Sequence, residues 1–463
     1  MKKVLAMILS VLMVASLAAG CGGNTDTTEG TTDPAATSEG GNAEVSGTIV
    51  VKAIETAYGA DMWNEIKDAF EAAYPGTTVE LEVSKTLETT LANEIQAGNY
   101  PDVVHLATNR DAKITENMIN NMQLRDLTPV LGLTNPGEEK TVGDKIIGGF
   151  TETNATNPYG DGKTYLMPMF YSPCGLFYSA NLMEEKGWTV PTTWDEMWAL
   201  GDKAKEAGIS LFTYPTTGYF DAFMFALLAS TDKGIDLYND VTSFKEGVWD
   251  TEEAKQVLDV IAKLATYTEP STTENANDID FSKNQQLIID GKAIFCPNGT
   301  WLPGEMADST PEGFVWGMTA VPAVSADKNP TSFTFLEQIW SPQGAKNTAG
   351  ADAFIAFMYS DAAIDIFAKY GAVQPVAGIA DKLEGDNKTF YSIYDNGATA
   401  VMGGFVATTD AGVTPADAYF TPVNQLVAGN ITVDEWLAGI KDANTALGAA
   451  VISAGEEPTD AAA

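Results

Sequence analysis

Histidine and cysteine are almost missing from this 463-residue chain: His105 is the one imidazole, and Cys21, Cys174 and Cys296 are the three thiols. One histidine excludes zinc sites of the histidine-rich type and leaves a nucleophilic triad no imidazole but His105, which falls inside a strand pattern. Only Cys174 and Cys296 remain for a disulfide once Cys21 is assigned to the leader described below. Two separate buried thiols are the preferred reading, with a pair in an oxidising compartment left open. No Walker-type glycine loop and no G-x-S-x-G elbow occurs, so no cofactor is implied, and no metal. Basic residues are few, 26 Lys plus Arg against 63 Asp plus Glu, for a net charge of −37. That balance argues against nucleic acid and against anionic lipid, and reads as a solubility coat. Past the leader, no apolar run reaches the length of a membrane span.

What is present starts with Lys2 and Lys3, a nearly all-apolar run from Val4 to Leu17, and small residues leading to Cys21. This is the layout of an export signal, too short to span a bilayer as a mature helix. Leu17-Ala18-Ala19-Gly20-Cys21 resembles a bacterial lipobox, which implies a diacylglyceryl group on Cys21 as the new N-terminus. Two acyl chains hold a protein on a membrane, at about 0.8 kcal/mol per buried CH₂. Gly22 to Glu44 has almost no apolar residue larger than Ala, so it cannot offset its ordering entropy. The expectation is a signal peptide over 1–20, a lipid-anchored disordered tether over 21–45 and a short frayed tail over 456–463. The protein is then placed on the outer face of the cytoplasmic membrane of a Gram-positive cell.

The remaining stretch, about 46 to 455, is long enough for two or three domains. Thr48–Ile54, Thr78–Val83 and Asp102–Leu106 read as strands, with helices Asp61–Tyr74 and Leu87–Gly98 between them. Strand, helix, strand, helix, strand implies parallel strands joined by helical crossovers, an α/β fold. Thr193 with Glu196, and Thr432 with Glu435, read as capping boxes. Thr251–Tyr267 and Ala351–Tyr370 carry helical stripes, the second broken near Ser360-Asp361. Lys292–Cys296, Phe314–Val321 and Thr334–Trp340 read as further strands.

Three blocks carry a resemblance. They are Gly175–Leu182 with Val190-Pro191-Thr192-Thr193-Trp194-Asp195-Glu196; Asp290–Leu302, which contains Pro297-Asn298-Gly299-Thr300-Trp301; and Ile339-Trp340-Ser341-Pro342-Gln343-Gly344-Ala345-Lys346-Asn347. In this order they resemble the carbohydrate-binding, family 1 solute-binding lipoproteins of bacterial ABC sugar importers. Phe295 to Glu305 with Thr310–Phe314 is similar to the branch labelled for N-acetylglucosamine and chitobiose. The resemblance implies a two-lobed periplasmic-binding-protein-like fold with discontinuous lobes, 46–170 plus 325–372 and 173–322 plus 376–455. A multi-segment hinge would cross near Pro168–Ser172, Val321–Ser325 and Gly371–Pro375, where Gly and Pro suit chain reversals. It implies a monomeric receptor that captures a mono- or oligosaccharide, hands it to the permease subunits of the importer and is served only indirectly by an ATPase. A xylo-, manno- or gluco-oligosaccharide is the alternative ligand, and a secreted glycosidase the alternative class, which would need two placed carboxylates.

A pyranose offers an apolar C–H face and a rim of hydroxyls, so its site needs flat aromatics and fixed donors and acceptors. Trp301, which follows a strand and a Gly-Thr turn, is the first candidate for stacking. Trp340 closes a strand and either faces the cleft or packs under the hinge. Tyr219 stands in a loop before a helix. Asn109 and Arg110 follow the strand Asp102–Leu106, Glu55 and Tyr58 follow the first strand, and Tyr171 lies at the first crossing. Asp280 sits in an acidic loop that also reads as plain solvated chain. Leu106 stands where maltose-type binders carry Trp, and no acidic residue stands near Ser172, so a maltose-like contact set is not expected.

Overall fold

β-Branched residues through Thr48–Ile54 make the first strand, β1 (Gly47–Ile54), which lies between β2 (Thr77–Ser84) and β3 (Val103–His105), parallel to both. The computed structural model describes residues 45–451 apart from 57, 109, 111, 277–281, 407 and 409. The signal peptide, Cys21, the tether to residue 44, the tail, Asn109 and Asp280 therefore lie outside the described residues. Crossover helices Gly59–Ala73 and Leu87–Gln96 join these strands, as their spacing predicts. Met62, Trp63, Ile66 and Phe70 form the buried stripe of the first helix. Each such side chain stabilises by about 1.5–3 kcal/mol when fully buried.

The remaining strands are β4 (Met167–Ser179), β5 (Ser210–Phe212), β6 (Ala293–Gly299), β7 (Trp316–Thr319), β8 (Thr331–Trp340) and β9 (Thr399–Val401). The hydrogen-bonded order is β2-β1-β3-β8-β4-β6-β5, with β7 added on β4 and β9 on β8. β8 and β4 are neighbours at the middle of this path. β8 pairs β9 at Thr331–Phe333, β4 at Thr334–Ile339 and β3 at Ile339–Trp340. β4 pairs β8 from Met167 to Pro173, then turns to β6 and β7 from Cys174 onward. One apolar cluster gathers around β1, with Ile49, Val51, Phe70, Phe354 and Phe357. A second, with Met197, Leu200, Phe223, Leu258 and Trp436, gathers around β5. The result is an α/β fold of two halves strung on one antiparallel pair.

Thr251 caps helix Glu252–Ala265, and Thr432 with Glu435 forms a reciprocal capping box at Val433–Ala449. Ser360 caps Asp361–Lys369, which splits the expected long helix into Thr348–Phe357 and Asp361–Lys369. At Thr193 the side chain caps as expected, but Glu196 Oε2 accepts from the Thr192 amide and hydroxyl. Over the first expected crossing the chain does not reverse: Pro168–Ser172 is the first part of one extended strand, and Pro168 is absorbed by a register shift between Pro168 and Phe170. A bulge is where a strand tolerates a residue without an N–H.

Cys174 and Cys296 are both free and buried. Cys296 stands opposite Phe177 on the β4–β6 ladder, three residues along from Cys174, so the two thiols point to opposite faces and join different apolar clusters.

Gly175 brings β4 close against the β7 backbone: a Cβ there would lie 2.5 Å from the Thr319 carbonyl oxygen. Gly175→Ala is expected to lower stability by about 1–3 kcal/mol through forced backbone displacement. Denaturant unfolding reads this, and an unchanged midpoint contradicts the close approach.

Candidate functional site

The carboxyl ends of β1 and β3 point toward the β4–β8 pair, and the loops that follow them wall a groove. A cavity of about 330 Å³ lies there, bounded by Tyr58 after β1, Ala107, Thr108 and Arg110 after β3, Phe170–Ser172 on β4 and Phe333–Gln338 on β8. Ligand crevices form at such strand ends because the loops are free to vary while the sheet fixes their roots.

Phe335 is the groove's open aromatic surface. It is 44% exposed, in a strand otherwise mostly buried. Its ring is braced edge-on by Phe333 and by Trp301, each with centroids 5.3 Å away. Trp301 begins the short helix Leu302–Glu305, and its half-buried indole lies across Gly299, where a Cβ would come within 2.1 Å of the ring. Glycine at 299 is what lets the indole lie there. Tyr219, in the π-helical turn Thr216–Phe220, stands behind Trp301 at 5.9 Å, and its hydroxyl donates to Glu305 at 3.2 Å. Burial, with Glu305 adding to it, pushes the Tyr219 phenol up to about 12.

Polar groups converge on the same groove. The Tyr171 hydroxyl is buried without a hydrogen-bond partner, as are Arg110 Nε and Glu337 Oε2. Burial raises the Tyr171 phenol well above its ordinary value, with Tyr394, Tyr391 and Asp395 adding to it. Burial and then Glu337 do the same for Tyr58. Both stay neutral donors near pH 7. Arg110 Nη2 donates to Glu88 Oε2 at 2.7 Å, and Gln338 Oε1 accepts from the Thr108 amide at 3.2 Å. The set therefore offers a flat apolar face, neutral hydroxyl donors, a carboxylate acceptor and a guanidinium already matched by a carboxylate. That suits a neutral polyhydroxyl ligand.

Of the residues singled out in the sequence, Tyr58, Arg110 and Tyr171 meet in the groove wall, and Trp301 abuts it through Phe335. Glu55 lies outside the lining, with Lys85 at 3.7 Å. Of the two placements open to Trp340, the structure shows the packed one, which corrects its candidacy as a ligand platform. It is fully buried with Leu87, Leu106 and Met118, and its indole N–H donates to the Leu106 carbonyl at 3.1 Å. An indole wrapped on both faces has none left for a sugar. Asn109 and Asp280 are not described. Sequence reasoning missed Phe335, Glu337 and Gln338. The available signal was a glutamate within the apolar run of β8, a position a buried strand leaves charged only for a reason.

A larger cavity of about 400 Å³ lies beside Lys145, but no aromatic side chain lines it. Its charges already serve one another: Lys145 pairs with Glu138, and donates to Asp361 at 2.9 Å and to the Tyr359 carbonyl at 3.0 Å. Among the described residues no three His, Cys, Asp or Glu side chains gather as metal ligands would. No described helix is long and apolar enough to cross a membrane.

Residues 65–389, well over half of the chain, match the family described as bacterial extracellular solute-binding protein, and the chain belongs to that family. It is similar to the diacetylchitobiose binding protein NgcE of Streptomyces coelicolor, 24% identical over 341 residues that cover 71% of this chain and 69% of that one. Its fold is similar to the bacterial solute receptor AcbH, with a TM-score of 0.64 and 17% identity over 87% of this chain and 97% of that one. RafE from Streptococcus pneumoniae matches with a TM-score of 0.61 and 17% identity, over 86% and 98%. At these identities the likeness shows the two-lobed fold.

Removing the Tyr171 hydroxyl separates site from scaffold. An unpartnered buried hydroxyl costs the free protein on the order of 1–3 kcal/mol. Tyr171→Phe is therefore expected to keep or raise the melting temperature of the ligand-free protein. A fall of several degrees contradicts the orphaned placement.

Proposed function

We propose that this chain is the sugar receptor of an ABC importer, binding a neutral oligosaccharide in the groove between its two lobes. One observation carries the reading: Phe335 presents an open ring in a groove where the buried Tyr171 hydroxyl has no hydrogen-bond partner within the protein. Covering about 100 Å² of a pyranose face stabilises by about 2.5 kcal/mol at 25 cal/mol per Å². Two such platforms, Phe335 and the neighbouring Trp301, with a few hydroxyl bonds reach micromolar binding, about −8 kcal/mol.

The N-acetylglucosamine or chitobiose class is the first choice of ligand. It is supported by the Phe295–Glu305 resemblance and by the likeness to a diacetylchitobiose binding protein. Xylo-, manno- and gluco-oligosaccharides are the second, because a few loop residues set hydroxyl stereochemistry. In this reading the lobes, each made of separated chain segments, close about the β4–β8 pair when sugar bridges them. The permease subunits then read the closed form, Cys21 carries the lipid anchor outside the cytoplasm, and the receptor is monomeric with no chemistry of its own. Both groove-independent thiols support the non-enzymatic reading: burial pushes Cys174 and Cys296 up, away from the reactive thiolate.

Calorimetry against diacetylchitobiose, xylobiose, mannobiose and cellobiose tests this, with micromolar binding expected for one class and no release of monosaccharide on incubation. Phe335→Ala and Trp301→Ala are each expected to weaken the best ligand by about tenfold or more, at an unchanged circular dichroism spectrum. Unaltered affinity in both variants removes the stacking platform, and hydrolysis of the sugar restores the glycosidase alternative.

A further inference from the structure

We propose that Glu305 is the positioning residue for the Trp301 platform: its carboxylate, acting through Tyr219, sets the angle at which the indole meets the ligand. The proposal rests on the sugar-receptor reading of the groove. Trp301 lies between the end of β6 at Gly299 and the helix Leu302–Glu305. That helix has four residues, a single turn, and a lone turn does not hold itself. Trp301 stands at its N-cap and makes no side-chain cap. The turn is held by what its side chains reach. Leu302 and Met306 are buried in the first apolar cluster, while Trp301 packs against the second.

Glu305 supplies the directional contacts. Its Oε1 accepts from the Tyr219 hydroxyl at 3.2 Å and its Oε2 from Gln285 Nε2 at 2.9 Å. Gln285 is fully buried on helix Ser282–Ile289, and Tyr219 is buried in the π-helical turn. One carboxylate thus ties three elements together. The Glu305 amide also donates to the Trp301 carbonyl at 3.1 Å. The Tyr219 ring lies beside the indole, tilted by 36° with centroids 5.9 Å apart. These contacts close a circuit from the Trp301 backbone through Glu305 to the Tyr219 hydroxyl, and from the Tyr219 ring back to the indole.

Apolar packing alone does not fix the indole's angle, because burial scales with area and is indifferent to direction. On its other sides the ring meets Gly299, which has no side chain to brace it, and Phe335, which is itself exposed. Hydrogen bonds are directional, and a carboxylate acceptor makes them roughly twice as strong as a neutral one. The Glu305–Tyr219 bond therefore decides the tilt. A binding group has to be held within about 0.5 Å and 10–20° of its productive geometry. Without the carboxylate the phenol loses its anchor, and the indole is free to tilt.

The test uses the full chain and whichever of diacetylchitobiose, xylobiose, mannobiose and cellobiose binds most tightly by calorimetry. Glu305→Ala is expected to weaken binding by about three- to tenfold, and by nothing further in a chain that already carries Trp301→Ala. The same loss in both backgrounds overturns the proposal, because a residue that merely pins the fold does not act through the indole. Unaltered affinity in Glu305→Ala also overturns it. Glu305→Gln is expected to restore affinity to within about twofold of the wild type: its amide oxygen accepts from Tyr219, and its NH₂ meets Gln285 Oε1, which has no partner as the chain stands. A loss equal to that in Glu305→Ala counts against the proposal. If Glu305→Ala does not fold, Tyr219→Phe takes its place, since it removes one hydroxyl and keeps the ring. Heat from none of the four sugars counts against the receptor reading instead. A second measurement needs no ligand: the Trp301 indole N–H signal in the proton–nitrogen NMR spectrum, identified as the one that Trp301→Phe removes. It is expected to shift in Glu305→Ala and in Tyr219→Phe and to hold its place in Glu305→Gln. A signal unmoved in the first two variants overturns the proposal while leaving the receptor reading intact.

Discussion

The antiparallel ladder between β4 and β8 is the element on which the rest depends. It joins the two apolar clusters, it carries both Tyr171 and Phe335, and it sets how far the loops after β1 and β3 stand from them. Neither strand stays with one partner. β8 passes from β9 to β4 to β3, and β4 passes from β8 to β6 and β7. A pair of strands that bends at both ends can let two halves move while keeping one floor under the groove.

Switching partners leaves backbone groups without ladder bonds, and buried ones must find others. Tyrosine hydroxyls serve here. Tyr359 donates to the Pro168 carbonyl at 2.5 Å and Tyr391 to the Tyr171 carbonyl at 2.9 Å, while the Tyr171 amide donates to Val373 at 3.0 Å. Tyr394 reaches Thr334 and Ser332 on the facing strand. The bulge at Pro168 is thus supported from behind by a layer of phenols. Tyr171, packed edge-on against Phe150 and Tyr391, is the member whose own hydroxyl has no partner in the protein. Scaffold and groove meet in that residue: its backbone belongs to the β4–β8 ladder, and its unpartnered hydroxyl lies in the groove wall.

Most of the scaffold was legible because its signals are local. The βαβαβ start, the cap at Thr193, the capping box at Thr432 and the break between the two helices near Ser360 follow from periodicity and capping chemistry. The site was legible only in part, because a strand's alternation says which residues share a face and not what that face meets. Trp301 and Trp340 look alike in sequence, each at the end of a strand. One rests across a glycine beside an open ring, and the other is enclosed by Leu87, Leu106 and Met118. Phe335 passed as one more apolar residue of β8, although it is the ring left open to solvent. Pro168 suggested a reversal, because the register that absorbs it belongs to β8, more than 160 residues further on.

The proposed sugar site on the β4–β8 floor, over Phe335, is what the functional reading stands on. A crystal structure of the chain with its tightest-binding oligosaccharide tests it most directly. The expected result is a pyranose face packed on the Phe335 ring, with a ligand hydroxyl within about 3 Å of the Tyr171 oxygen. A sugar lodged instead in the cavity beside Lys145, with Phe335 still bare, would contradict it.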